Sequence, residues 1–209
     1  MVKQVTVKGY FEENTFFYID EKTKHGFIID PGAESDKLLK IIKDNNWIIE
    51  KILITHGHFD HLGAVDDLRN ELNIDAYAYE ASSKYLLSTH YNLSKYCNCD
   101  FIVENVKTFK DNEKIELKCN NNFYLKVIHT PGHTEDSCVF YNDINNIAFV
   151  GDTIFKGSIG NPNYPGGNIE ILEESIINKI LTLNEKTKLY SGHSDVTTVK
   201  EEKERYGII

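Results

Sequence analysis

Arginine is nearly absent from this chain: Arg69 and Arg205 are the only two in 209 residues. Bidentate clamps for carboxylate or phosphate groups are therefore scarce. Acidic residues outnumber basic ones by 32 to 23, the net charge is −9 and the pI is near 5.4. Broad contact with a phosphate backbone is disfavoured on such a surface, so no nucleic-acid partner is expected. No apolar run approaches the ~20 residues of a membrane span. The opening MVKQVTVKGY alternates like a strand and has no signal-peptide core. We therefore expect a cytoplasmic chain with no membrane partner. The four cysteines (Cys97, Cys99, Cys119, Cys138) show neither zinc-finger nor thioredoxin spacing, so free thiols are the default, with Cys97-Asn98-Cys99 a weak metal or redox candidate.

What is present reads as one α/β domain over residues 1–209. Strand-like runs at 4–7, 15–19 and 26–29 open the chain, the last ended by Asp30-Pro31-Gly32, where Asp30 reads as turn chemistry. Leu38, Leu39, Ile41 and Ile42 form a helical stripe, followed by a buried strand at 52–54 and helical spacing from His61 through Leu72. The segment 75–122 carries a short strand at 76–78, a helix over 80–87 and a strand near 114–117. Between these lies a polar connection rich in tyrosine (Tyr91, Tyr96), for which surface irregularity is the default and a substrate-covering loop the alternative. Strands at 124–128, 138–141, 147–150 and 188–190 and an amphipathic helix over 169–183 complete the chain.

The run ILITHGHFDHLG at 52–63 places His56, His58, Asp60 and His61 on one turn behind an apolar strand. Such a cluster desolvates and crowds its own members unless a divalent cation takes their lone pairs. Three further strand-like runs also end in a ligand-type residue beside glycine: Gly132-His133, Gly151-Asp152 and Gly192-His193. Glycine lets a strand end turn sharply and approach a buried group. The seven residues His56, His58, Asp60, His61, His133, Asp152 and His193 are too many for one zinc and suit two divalent metal ions. Zinc is the first expectation, with Fe2+ or Mn2+ as alternatives. His25, His90 and His129 lie outside these motifs and read as surface or packing residues.

With T-H-G-H-F-D-H-L-G at 55–63, T-P-G-H-T at 130–134, G-D-T at 151–153 and G-H at 192–193, the chain resembles the metallo-β-lactamase superfamily. The stretches at 151–160, 165–167 and 191–203 are similar to its compact glyoxalase II-like (hydroxyacylglutathione hydrolase-like) members. The resemblance implies a four-layer αββα sandwich with the metals at one edge. It also implies His56, His58 and His133 on one metal, Asp60, His61 and His193 on the other, and Asp152 bridging. Three departures stand out. Sixteen residues follow His193 where glyoxalase II enzymes carry a helical glutathione-binding domain. Gly160-Asn161-Pro162-Asn163 stands where small relatives and iron persulfide dioxygenases show Gly-Arg-Thr-Asp, and Asp136 replaces a common glycine. Asp152, where β-lactamases carry Cys or Ser, argues against β-lactam cleavage.

Two bridged cations lower the pKa of a shared water from ~16 toward neutrality, so the expected enzyme is a hydrolase working through a metal-bound hydroxide oriented by Asp60. A thiolate leaving group, with a pKa of ~8.5, needs no strong general acid, which favours a small thioester or ester substrate. Lys156, Asn161 and Tyr164 are the candidates to line the substrate end. The alternative is a mononuclear iron oxidoreductase, persulfide dioxygenase-like, on His56, His133 and Asp152. A small-molecule substrate is the expected partner, and oligomeric state is left open.

Overall fold

The computed structural model describes residues 1–208, so Ile209, the last residue of the expected domain, lies outside the described residues. The chain begins with strands β1 (Val2–Lys8), β2 (Glu12–Ile19) and β3 (His25–Ile29), then helix α1 (Ser35–Asp44), β4 (Ile48–Leu53), α2 (Val65–Leu72) and β5 (Asp75–Tyr79). A single turn α3 (Ser83–Leu86) and β6 (Lys107–Phe109) finish the first half. The second half runs β7 (Lys114–Glu116), β8 (Tyr124–His129), β9 (Cys138–Asn142), β10 (Ile147–Gly151) and the hairpin β11 (Ile154–Phe155) and β12 (Ser158–Ile159). Helix α4 (Ile169–Ser175), β13 (Lys188–Ser191), β14 (Thr197–Thr198) and α5 (Val199–Arg205) close it.

One six-stranded sheet has the order β1-β2-β3-β4-β5-β6 and the other β14-β13-β10-β9-β8-β7. Three apolar layers hold the sandwich together, and strand alternation sorts residues among them. Phe17, Ile19, Ile28 and Ile52 face outward onto Leu38 and Ile42 of α1 and Val65 and Leu68 of α2. Their sequence neighbours Phe16, Tyr18, Phe27, Ile29 and Leu53 face inward onto Phe140 and Phe149 of the second sheet. That sheet in turn sends Val139, Ala148 and Val150 outward onto Leu172, Ile176 and Ile180. The result is the expected αββα order, with a fully buried Phe or Ile contributing roughly 1.5–3 kcal/mol each. Among the described residues, no helix is long and apolar enough to cross a membrane.

Several elements differ from their sequence-based bounds. The helix expected over 80–87 is the single turn α3, and the one expected from His61 starts as a 3-10 turn at Phe59–His61 before α2. The helix expected over 169–183 is α4 followed by a π turn at Ile176–Ile180. Leu172, Ile176 and Ile180 recur every fourth residue and are all fully buried. A 3.6-residue turn rotates such a row off the sheet, and a wider turn brings it back.

Candidate metal centre

Strands β4, β8, β10 and β13 deliver their C-terminal loops to one edge of the sandwich. Gly132, at φ 135°, is pressed against α4: a Cβ there would lie 2.3 Å from the Leu172 backbone nitrogen. Only glycine permits that approach, and it fixes the turn that presents His133.

Three imidazoles converge first. His58 Nδ1 lies 3.1 Å from His56 Nε2 and 3.0 Å from His133 Nε2. Tetrahedral ligands at zinc distances of ~2.0–2.1 Å from the ion sit about 3.3 Å apart, close to this spacing. Burial, reinforced by neighbouring histidines, holds His56 and His58 well below the usual imidazole range. Burial lowers His133 as well, against the pull of Asp152. All three rings are thus neutral, with lone pairs to offer.

Asp60, His61, His193 and Asp152 form the adjoining group. Asp60 Oδ2 is 3.3 Å from His193 Nε2, and Asp152 Oδ1 is 3.5 Å from His61 Nε2. The other Asp152 oxygen is 3.5 Å from His193 Nε2 and 3.7 Å from His133 Nε2, so this carboxylate faces both groups. Burial opposes the charge on Asp60, yet the His193 bond and His61 hold its carboxyl below the usual range. Burial likewise opposes charge on His61 and His193, but the carboxylates around them raise both, Asp152 leading at His61 and Asp60 at His193.

The outward ring nitrogens are held as metal-ligating histidines require. His56 Nδ1 is 3.1 Å from Thr55 Oγ1, and His61 Nδ1 is 3.1 Å from Asp30 Oδ2. His133 Nδ1 is 3.0 Å from the Asn161 carbonyl and His193 Nδ1 is 2.8 Å from that of Glu12. Conversely, His61 Nε2 and Asp152 Oδ1 are buried without any hydrogen-bond partner. Orphaned polar atoms inside a set of nitrogen and oxygen donors fit a divalent cation.

All seven expected ligand residues are therefore brought together. Of the three expected substrate-end residues, Asn161 and Tyr164 line the 410 Å³ cavity over the centre, and Lys156 does not. Lys156 sits in the β11–β12 turn, where its backbone nitrogen donates to Ser194 Oγ and its ammonium lies 3.6 Å from Asp195. Sequence reading missed Phe11, Phe59, Leu93 and Phe155, which supply apolar walls. It also took Asp30 for a turn residue, whereas its carboxylate reaches Thr55 and His61. Glu13 was missed altogether: it is fully buried, 3.7 Å from His61, and burial raises its carboxyl well above the usual range. The signal for Asp30 was its place at the end of a strand beside the histidine strand.

Residues 10–193 match the Metallo-beta-lactamase superfamily, and the chain belongs to that family. It is 30% identical to "Hydroxyacylglutathione hydrolase GloC" of Haemophilus influenzae, over 92% of this chain and 91% of that protein. Among solved structures it is similar to BLEG-1 B3 metallo-beta-lactamase, with a TM-score of 0.91, 31% identity and coverage of 98% of this chain and 97% of that one. It is also similar to TTHA1623 in a di-iron-bound form, at a TM-score of 0.86 and 27% identity, over 99% of this chain and 100% of that one. The class so defined is a metallo-hydrolase.

Proposed function

We propose that this chain is a binuclear metal-dependent hydrolase of small thioesters or esters. The observation that carries the reading is Asp152, whose two oxygens face the His56/His58/His133 group on one side and the Asp60/His61/His193 group on the other. Each group would hold one divalent ion, with Asp152 shared. Bound there, such a pair supplies Lewis acidity and an activated water. The di-iron form of one relative supports two ions and keeps iron beside zinc as a candidate.

The chain's own residues do the rest. Asp60, kept ionised by His193 and His61, presents an acceptor that orients the attacking water. Phe11, Phe59, Leu93 and Phe155 exclude bulk water from the cavity above it. No lysine or arginine lines that cavity among the described residues, so no side-chain cation protonates a leaving group. A thiolate departs unaided where an alkoxide does not, which favours thioesters, in keeping with the relative named as a hydroxyacylglutathione hydrolase. The absence of lining cations also supports weak preference for an anionic glutathione arm. A mononuclear iron oxidoreductase on His56, His133 and Asp152 would leave Asp60 and His193 without a role.

The test is elemental analysis joined to a hydrolysis panel of S-lactoylglutathione, simple acyl thioesters, a lactone, a β-lactam and a phosphodiester. Two metals per chain with thioester cleavage supports the reading. One metal with oxygen consumption, or phosphodiester cleavage alone, overturns it.

A further inference from the structure

Beside the centre lies a second cavity, larger than the first at 660 Å³ against 410 Å³. The two share Phe11, Phe59, Leu93 and Tyr164 as walls, so they form one continuous groove running outward from the ligand cluster. The hinge between them is Tyr164, whose ring stands at 90° to His58 with centroids 5.7 Å apart. The far wall comes from the tyrosine-rich segment after α3, which contributes Tyr91, Tyr96 and Cys97.

Chemically this groove is of one kind. Among the described residues, no lysine, arginine, aspartate or glutamate lines it, while five aromatic rings do. Nearby Lys84 faces away from service as an anion receptor: it lies 4.2 Å over the Tyr91 ring and 2.6 Å from Glu135. Phe11 and Tyr96 are 51% and 61% exposed, large apolar surface left open on the groove's rim. Apolar surface of this kind, contiguous with a polar reactive centre, is how a site binds an apolar substrate arm and orients the reacting group.

The wall is built rather than incidental. Asn92, fully buried, donates to the Phe101 carbonyl at 2.6 Å and accepts from Ser94 N at 3.0 Å. Its own carbonyl receives Phe59 N–H at 3.0 Å, tying the segment directly to the histidine turn. The next residue, Leu93, stands at φ 71°, a conformation costly for a branched side chain and retained where the surroundings impose it. That strain places Leu93 on the wall common to both cavities.

We propose that the groove binds an uncharged aryl or medium-length alkyl arm, making the substrates apolar acyl thioesters rather than anionic ones. This rests on the hydrolase reading above and narrows it. The experiment compares acetyl, hexanoyl, phenylacetyl and succinyl thioesters of one small thiol on the metal-loaded enzyme. Hexanoyl and phenylacetyl should exceed acetyl and succinyl in kcat/KM by about tenfold or more, through KM, a size typical of discrimination in apolar pockets. Tyr96→Ala should shrink that ratio. Equal turnover of acetyl and hexanoyl, or preference for succinyl, overturns the groove while sparing the hydrolase. If no thioester is cleaved, the hydrolase reading fails, and calorimetry with a non-cleavable benzyl thioether against its carboxylated analogue still decides the groove. Tighter binding of the benzyl compound upholds it, and equal or weaker binding overturns it. A dimer in sedimentation that Tyr96→Ala converts to monomer assigns the surface to a second copy instead and also overturns the proposal.

Discussion

Asp30 Oδ2 lies 3.1 Å from His61 Nδ1, across a gap of 31 residues in sequence, and both side chains are buried. The same carboxylate accepts the Thr55 backbone N–H at 2.7 Å and its hydroxyl at 2.6 Å. Thr55 in turn touches His56 Nδ1 at 3.1 Å. One acidic group at the end of β3 thus braces a histidine from each ligand group. The parallel pairing of β3 with β4, Ile29 opposite Leu53, is what brings it there.

Asp30→Asn should therefore weaken metal binding without touching a ligand. An amide keeps the shape but turns donor hydrogens toward donors, at a cost of about 1–3 kcal/mol for the buried mismatch. Loss of such an outer partner lowers metal affinity by roughly 10–100-fold. Chelator competition with Zn2+ measures it, and affinity within about threefold of the parent would sink the bracing role.

Gly132→Ala should be among the most destabilising single-methyl changes in the chain. Its Cβ would meet the Leu172 nitrogen and Cα at 2.3 Å, backbone atoms held in α4, and φ is 135°. Gly207 supplies the control: its φ is 67°, but nothing lies within 4 Å of a Cβ there. Strain alone costs ~1 kcal/mol, whereas strain with overpacking costs about 3 kcal/mol or more. Urea unfolding of the two variants compares them, and similar losses would show that the contact with α4 relaxes freely.

Much of the centre was legible because its residue types are concentrated. Four ligand-type residues fall within His56–His61, and the other three each follow a glycine at a strand end. The layers were legible for a similar reason, since β2, β3 and β10 are apolar on both faces and bounded by turn residues. Asp30 was not, because its role depends on which strand lies beside β3, and a strand-end aspartate is common in turns. Lys156 was misjudged because the β11–β12 hairpin, two residues per strand, carries no periodic signal and turns the lysine toward Asp195. The groove wall at Tyr91 to Cys97 follows no helical or strand period, so only its composition was visible.

Asp20 gives a pH-dependent stability term far from the centre. Burial opposes its charge, but donors from Asn120 at 2.9 Å, Lys22 N at 3.1 Å and Thr23 at 3.0 Å outweigh it and lower its carboxyl. A depressed folded pKa means the contribution is fully present above the unfolded value near 4 and is lost as pH falls through the folded one. Asp20→Asn should thus be less stable than the parent at pH 7, and the gap should narrow below about pH 4. Denaturant midpoints at both pH values check this. A gap that stays constant with pH would mean the charge is irrelevant.

Asp60→Asn separates chemistry from architecture. The carboxylate is half-buried, bonded to His193 and held ionised, so it serves as ligand and as the acceptor that orients water. Asparagine preserves the volume and one oxygen. The three apolar layers do not involve position 60, so the melting temperature of the metal-free protein should shift little. Turnover of the best thioester should fall by about 100-fold or more, a size usual for loss of a positioned acid–base group. Elemental analysis of the variant tells the two roles apart: one metal lost means the ligand role dominates, both retained with low kcat means orientation does. Turnover within about threefold of the parent, under 1 kcal/mol of barrier, would deny Asp60 either role.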